Sequence, residues 1–131
     1  MPDYKDVASS GEFEKHETGA HRDTRKGKGR FDLIPPHGLI RLARHYENGA
    51  LKYTDDNWRK GLPQKRYCDS AMRHMVKYLG GDRTEDHLAA VAWNVFAMMH
   101  QEEMIERGLL DPKLDDMKYQ DFKPDEFEEC K

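Results

Sequence analysis

The chain has 131 residues, 36% of them charged, and a formal net charge of −3 at neutral pH. This length predicts one domain with flexible ends. Nucleic acid and anionic membranes both bind proteins through an excess of lysine and arginine, so the charge balance argues against both partners. No apolar run approaches the roughly 20 residues of a membrane span, and no signal-like segment opens the chain. The two isolated cysteines, Cys68 and Cys130, fit a reducing cytoplasm.

The N-terminal part contains a basic segment with glycines. Residues 1–19 are polar and have neither a helical nor a strand period, so we expect a loose arm. In residues 21–32, HRDTRKGKGRFD, five basic residues are interleaved with two glycines. Glycine turns and basic side chains together bind polyphosphates. The segment is not a P-loop, but it predicts a phosphate cradle with Lys28 and Arg30 as candidate contacts. A solvated basic loop is the alternative.

Apolar residues recur at the helical period after Pro35-Pro36, which predicts a first helix over residues 36–53. Glu47 lies among apolar neighbours on this helix. We therefore expect its carboxylate to be partly desolvated and to need a cation, either a metal ion or a salt-bridge partner. A loop over residues 54–64 follows. Three residues near it are candidates for a phosphate contact, a base hydrogen bond and a stacking surface: Lys52, Asn57 and Trp58.

Two further helices, over residues 65–79 and 85–107, are predicted on either side of Gly80-Gly81. The third helix contains LAAVAWNVFAMM, and a helix that is apolar on every side is typical of a bundle centre or an oligomer core. A polar row recurs along it every seven residues: His87, Asn94 and Gln101. Such a row marks either a functional site or a device that fixes packing register.

One carboxylate from each helix predicts a metal centre. We expect Glu47, Asp69 and Asp86 to converge where the apolar faces meet, and such oxygen ligands suit Mg²⁺ or Mn²⁺. Glu47 and Asp86 are also the candidate catalytic residues. His74 lies roughly 140° from Asp69 on the helical wheel, so the two are not expected to share a ligand. Asp69 can instead pair with Arg73, which is otherwise a candidate contact for the phosphate tail.

The three helices predict an all-α bundle over residues 20–110 that is completed by a partner chain. Residues 111–131 are rich in acidic side chains, and we expect a mobile tail.

Three stretches of the chain together resemble the phage dATP/dGTP diphosphohydrolases, a branch of the MazG-like all-α nucleotide pyrophosphatases. They are TGAHRDTRKGKGRFDLIPP, LARHYENGALKYTDDNW and RYCDSAMRHMVKYLGGDRTEDHLAAVAWN. The likeness covers about residues 18–110. MazG-like enzymes typically carry ExxE on one helix and ExxD on the next. Aligning the second motif with HLAAVAWN puts His87 and Ala90 at the positions of its Glu and Asp, so the metal ligands must be rearranged here.

The resemblance implies a MazG-like homodimer or homotetramer that uses Mg²⁺ or Mn²⁺ to hydrolyse dGTP or dATP to the monophosphate and pyrophosphate. Divalent ions would bridge the carboxylates and the triphosphate. Asn94 is a candidate pocket contact, and Asp32 or Asp56 is a candidate acceptor for guanine protons. In phages that use 2-aminoadenine, the related enzyme would supply dGMP in the cytoplasm of the infected bacterial host.

Two non-catalytic classes of protein remain open. One is a nucleotide-binding sensor that keeps the basic loop and does not hydrolyse. The other is a helical protein that binds a host factor through its tail and uses the polar row only to fix bundle register.

Overall fold

A computed structural model describes residues 9–117, 122–123 and 125. The chain divides between Pro35 and Pro36 into two compact units, a small N-terminal one and a larger helical one. Within the described part, no helix has both the length and the apolar character needed to cross a membrane. Cys130 and most of the predicted acidic tail lie outside the described residues.

The N-terminal unit is an antiparallel hairpin. Strand β1 (Phe13–Lys15) pairs with strand β2 (His21–Asp23), and Glu14 lies opposite Arg22. Strand β1 lies within residues 1–19, where the sequence predicted a loose arm, because strands of three residues are too short to show an apolar alternation. A short 3₁₀ helix, Phe31–Leu33, follows.

Polar contacts to one aspartate stabilise this hairpin. The carboxylate of Asp23 accepts hydrogen bonds from the backbone N–H of Ser10 at 3.0 Å and from its hydroxyl at 2.7 Å. It also accepts one from Nζ of Lys28 at 2.6 Å. The Lys28 contact and the Ser10 contacts lower the pKa of Asp23. The hairpin therefore depends on Asp23 being ionised.

The larger unit contains three helices among its described residues: α1 (Pro36–Lys52), α2 (Gln64–Leu79) and α3 (His87–Glu106). Their bounds confirm the all-α prediction to within two residues at each end. Helix α3 packs against both α1 and α2. Small side chains permit this close packing, and the buried apolar residues among those that the structure describes are Leu42, Tyr67, Ala89, Ala90 and Ala97.

Much of the predicted apolar stripe of α2 is exposed in the single chain. Met72, Val76 and Leu79 are 64%, 66% and 85% exposed. Large apolar side chains on the other two helices are also exposed, namely Leu39, Ile40, Val95, Phe96 and Met99. Exposed large apolar side chains in this number are compatible with an interaction surface on the helical unit.

The loop between α1 and α2 is anchored to α3 by Gln101, which is 2% exposed. Its Nε2 donates to the carbonyl of Leu62 at 2.7 Å and to Oε1 of Gln64 at 2.8 Å, and its Oε1 accepts from the N–H of Leu62 at 3.1 Å. Gly61 has a φ of +84°, and a Cβ there would approach Leu114 to 2.9 Å. The positive φ therefore favours glycine, and a larger residue would also displace the end of the Leu114 side chain.

Residues 111–117 have defined structure, unlike the mobile tail predicted from residue 111. Asp111 caps the 3₁₀ helix Pro112–Leu114 by accepting from the N–H of Lys113. Oδ1 of Asp116 accepts from the N–H of Lys65 at 2.9 Å, in the first turn of α2. The free N–H groups and the dipole at a helix N-terminus favour such a carboxylate.

Gln101→Ala should lower the free energy of unfolding by about 2–3 kcal/mol, because it leaves buried polar groups of the 62–64 segment without partners. Chemical denaturation followed by circular dichroism measures this change. Glu102→Ala, at the exposed neighbouring position of α3, is the control and should change stability by less than about 0.5 kcal/mol. Equal stability of the two variants would show that Gln101 does not anchor the loop.

Lys28→Ala should raise the pKa of Asp23 toward that of a free aspartate. The folded-state pKa is lowered, so the contribution of Asp23 to hairpin stability is present above the unfolded pKa of about 3.9 and is lost as the pH falls through the folded pKa. The variant should therefore lose its hairpin at a higher pH than the parent. Carboxyl and amide NMR titrations measure both effects. Lys26→Ala, whose lysine makes no ion pair among the described residues, should leave the Asp23 titration unchanged.

Candidate functional site

Two histidines meet where α2 and α3 leave the Gly80-Gly81 turn. His74 lies on α2 and His87 on α3, and five residues separate each of them from the glycine pair. Positions at equal distance from the turn of an antiparallel helical hairpin lie opposite each other. The Nδ1 atoms of the two rings are 2.9 Å apart. At this distance the two nitrogens could bind the same metal ion.

Glu85 adds an oxygen ligand to the histidine pair. Its Oε2 lies 4.0 Å from Nδ1 of His87, and one ligand atom from each of the three residues lies within 4.8 Å of the others. No other group of three such side chains occurs among the described residues, 9–117 with 122–123 and 125. His87 is buried, His74 is half-buried and Glu85 is exposed, so the group opens to solvent beside Glu85.

Asp82 lies beside the Nε2 edge of the His87 ring, away from His74. Its Oδ2 lies 3.2 Å from Nε2 of His87, but the contact does not have hydrogen-bond geometry, and this buried nitrogen has no hydrogen-bond partner among the described residues. The other carboxylate oxygen accepts from the N–H and the hydroxyl of Thr84 at 2.8 and 2.7 Å. These hydrogen bonds lower the pKa of Asp82 to about 2, so the group is ionised at neutral pH.

Two half-buried histidines, His74 and His45, favour the neutral form that binds metals. Burial lowers the pKa of His74, and burial also lowers the pKa of His45, which faces Glu85 and Asp86 from α1. A neutral imidazole has the lone pair that a metal ion needs. Desolvation therefore favours metal binding over protonation at His74.

Asp86 ties α1 to the start of α3. It caps α3 by accepting from the N–H of Ala89 at 3.1 Å, and the guanidinium of Arg41 donates to its two oxygens at 2.8 and 2.5 Å. Arg41 is the main cause that lowers the pKa of Asp86 to about 2. The predicted catalytic carboxylate is thus ionised and engaged in a bidentate ion pair.

The three carboxylates predicted as metal ligands do not form one cluster in this chain. Asp86 pairs with Arg41, and Asp69 pairs with Arg73 four residues along α2. Glu47 makes no ion pair with any described residue. The convergence expected from sequence is therefore not seen within the single chain, and the part that these residues play in catalysis stays a prediction.

The expected desolvation of Glu47 is wrong for the single chain. The helical wheel placed the residue among apolar neighbours, but Ile40 and Leu51 are themselves exposed, Leu51 by 84%. An apolar neighbour removes a carboxylate from water only where another element covers both. No described element covers this part of α1.

The predicted polar row is buried throughout. His87, Asn94 and Gln101 are 1%, 4% and 2% exposed. Nδ2 of Asn94 donates to the carbonyl of Ala90 at 2.8 Å and to Oγ of Ser70 at 3.3 Å. Asn94 and Gln101 therefore hold α3 to its neighbours, as the register interpretation requires, whereas His87 belongs to the candidate metal centre.

The predicted base-contact residues lie on the loop after α1. Asn57 is exposed and starts the 3₁₀ helix Asn57–Lys60. The half-buried ring of Trp58 meets His100 edge-on at 4.9 Å, and the guanidinium of Arg59 lies 4.6 Å from its centroid. Lys52, at the end of α1, lies 5.3 Å from the ring centroid of the adjacent tyrosine.

The basic segment of the N-terminal unit forms a depression of about 530 Å³, lined by Glu14 and by residues 24–27, 29 and 30. Gly27 and Gly29 have φ values of +80° and +83°, which favour glycine and produce tight turns. Within these turns the N–H groups of Lys26 and Lys28 already donate to Thr24 and to the carbonyl of Arg25. The role of the segment in anion binding stays a prediction.

Two of the predicted phosphate contacts in this segment already have carboxylate partners. Lys28 donates to Asp23 at 2.6 Å, and Arg30 donates to both oxygens of Asp32 at 2.8 Å. Lys26 makes no ion pair with any residue that the structure describes. Lys26 is thus the cation of the depression most directly available to an anion.

Sequence reasoning did not join His74 to Glu85 and His87. Each histidine was considered on its own helix, where it borders an apolar face. The signal that could have joined them is their equal spacing from Gly80-Gly81, because Gly81 adopts a φ of +94° and reverses the chain there.

These features define an all-α protein with a histidine–carboxylate group able to hold a metal ion and a basic, glycine-containing turn. The chain belongs to the dATP/dGTP diphosphohydrolase family, since the family model "dATP/dGTP diphosphohydrolase, N-terminal" matches residues 18–111. This match confirms the resemblance seen in the sequence and includes both the basic segment and the histidine–glutamate group. No match was found among curated proteins or among solved structures.

Proposed function

We propose that the protein hydrolyses a purine deoxynucleoside triphosphate, dGTP or dATP, to the monophosphate and pyrophosphate with Mg²⁺ or Mn²⁺ as cofactor. The observation that carries the proposal is the group of His74, Glu85 and His87 inside a region that matches a family named for this activity. Imidazole nitrogens and a carboxylate oxygen are ligands of divalent ions, and their spacing fits one ion.

The cofactor supplies charge neutralisation at the phosphates and a more acidic water as the nucleophile. The chain's residues hold and orient the groups around it. His74 and His87 offer nitrogen ligands from two packed helices, so their separation is fixed by helix packing. Glu85 offers its oxygen from the exposed side, where a substrate can enter.

Glu47 and Asp86 are the catalytic carboxylates of the proposal. Asp86 adjoins two of the candidate ligands in sequence, and the bidentate contact with Arg41 fixes its orientation. Glu47 is exposed and has no cation partner among the described residues, so its carboxylate is available to accept a proton from water.

The basic segment is the proposed binding site for the polyphosphate tail. Its glycine turns provide backbone N–H donors, and Lys26 provides a cation that no carboxylate neutralises in the described unit. Lys28 and Arg30 join this binding only by exchanging their carboxylate partners for phosphate oxygens. Arg73 of α2 is a separately proposed phosphate contact and would have to release Asp69. Asn57, Trp58, Lys52 and Asp32 remain the proposed contacts to the rest of the nucleotide. Asn94 is 4% exposed and bonded within the bundle, so it could join them only by giving up those hydrogen bonds.

We also propose that the active form is a homodimer or homotetramer. The exposed apolar side chains of all three helices support this assembly, since a second copy would remove them from water. In a phage that uses 2-aminoadenine, the reaction would supply dGMP for the modified nucleotide.

Product analysis tests the reaction itself. The protein is incubated with each common ribo- and deoxyribonucleoside triphosphate in Mg²⁺ or Mn²⁺. Pyrophosphate released with dGMP or dAMP supports the proposal. Orthophosphate released with a diphosphate would assign a different phosphohydrolase class, and binding without any product would favour a nucleotide sensor.

Glu47→Gln should lower kcat by roughly 100-fold or more, because the amide cannot accept a proton as a general base. The residue is exposed, so the helical content measured by circular dichroism should be unchanged. Glu102→Gln is the control, since it removes an exposed carboxylate from α3 and should keep full activity. Turnover that survives in Glu47→Gln would remove Glu47 from the catalytic centre.

Lys26→Ala should raise KM for the triphosphate about tenfold at unchanged kcat, because a charge-assisted phosphate contact contributes about 1.5 kcal/mol or more. Steady-state kinetics measure the two constants separately. Lys15→Ala removes an exposed lysine of β1 and should leave both constants unchanged. An unaltered KM in Lys26→Ala would contradict the proposed phosphate site.

A further inference from the structure

We infer that His74, Glu85 and His87 form a site for first-row transition-metal ions that discriminates against Mg²⁺, with Asp82 as the residue that orients His87. The inference rests on the proposed function in one respect: it chooses Mn²⁺ over Mg²⁺ as the cofactor. Metal binding itself can be measured without a substrate, so the two proposals can fail separately.

The types of ligand in this group favour a transition-metal ion over Mg²⁺. Two of the three candidate ligand atoms are imidazole nitrogens, and only one is an oxygen. Mg²⁺ prefers oxygen ligands and keeps several of its waters, whereas nitrogen ligands favour later divalent ions such as Fe²⁺, Co²⁺ and Zn²⁺. Mn²⁺ lies at the weak end of the transition series but accepts this ligand set better than Mg²⁺ does.

The spacing of the two imidazole nitrogens fits ligands of one metal ion. The Nδ1 atoms of His74 and His87 are 2.9 Å apart. Two donors that lie about 2.1 Å from one ion at a right angle are about 3.0 Å apart. A direct hydrogen bond between the rings would give a similar distance, and the experiment must exclude this alternative.

Asp82 favours the metal-binding arrangement. Its Oδ2 is the charged atom 3.2 Å from Nε2 of His87, and this nitrogen is buried without a hydrogen-bond partner among the described residues. A carboxylate at Nε2 stabilises the tautomer that carries its proton there. The same tautomer leaves a bare lone pair on Nδ1, the atom that faces His74.

Mn²⁺ titration of the full chain, followed by electron paramagnetic resonance, tests the inference. We expect Mn²⁺ to bind with ¹⁴N couplings from imidazole, and a large excess of Mg²⁺ not to displace it. Mn²⁺ and Co²⁺ should also raise Tm, since the bound ion links α2 to α3.

Variants at the accessible ligands make the test specific. His74→Gln and Glu85→Gln should remove the ¹⁴N-coupled site and the metal-dependent rise in Tm. Asp82→Asn keeps the oxygen that accepts from Thr84 and should weaken Mn²⁺ binding roughly 10- to 100-fold. His37→Ala removes an exposed histidine of α1 and is the matched control, with Mn²⁺ binding unchanged.

Mn²⁺ binding without ¹⁴N coupling, or binding that survives His74→Gln, would overturn the inference, as would equal competition by Mg²⁺. Hydrolysis that Mg²⁺ supports equally well in His74→Gln would overturn it while leaving the proposed function intact. A ¹⁴N-coupled Mn²⁺ site in a protein that releases no pyrophosphate would uphold the inference and refute the proposed function.

Discussion

The seam between α2 and α3 fixes the rest of the helical unit. Three polar pairs cross it in antiparallel order: Gln64 with Gln101, Ser70 with Asn94, and His74 with His87. If one helix slipped by a turn, these side chains would lose their partners, and each unsatisfied buried group costs about 1–3 kcal/mol. Register is therefore set by hydrogen bonding, because alanine and methionine side chains tolerate several packings. The ligand spacing of the candidate metal centre follows from this register.

The sequence was sufficient for features that depend on neighbours along one helix. The helical period located all three helices, and the seven-residue spacing identified the buried row that contains Asn94 and Gln101. Features that depend on which element packs against a helix could not be predicted from the pattern along that helix. The exposure of Glu47 is set by the absence of a covering described element. The meeting of His74 with His87 is set by the turn at Gly80-Gly81. Three-residue strands leave no periodic signal at all.

Ion pairs within the chain also involve the side chains predicted to bind phosphate. Several cations expected to grip a polyphosphate are matched by a carboxylate nearby: Lys28 by Asp23, Arg30 by Asp32 and Arg73 by Asp69. Such exposed pairs contribute little to stability, so they can be exchanged at little cost. An incoming triphosphate would compete for these cations with carboxylates of the same chain. This competition would make the proposed nucleotide binding in the basic segment sensitive to ionic strength.

The segment after α3 extends the folded helical unit beyond the end of the family match. The family match ends at residue 111. Beyond it, the side chain of Leu114 lies over Gly61, and Asp116 caps the first turn of α2. A chain cut where the family match ends would expose the α1–α2 loop and uncap α2. The limits of the matched region and those of the folded helical unit are therefore different, and a fragment meant to stand alone has to follow the second.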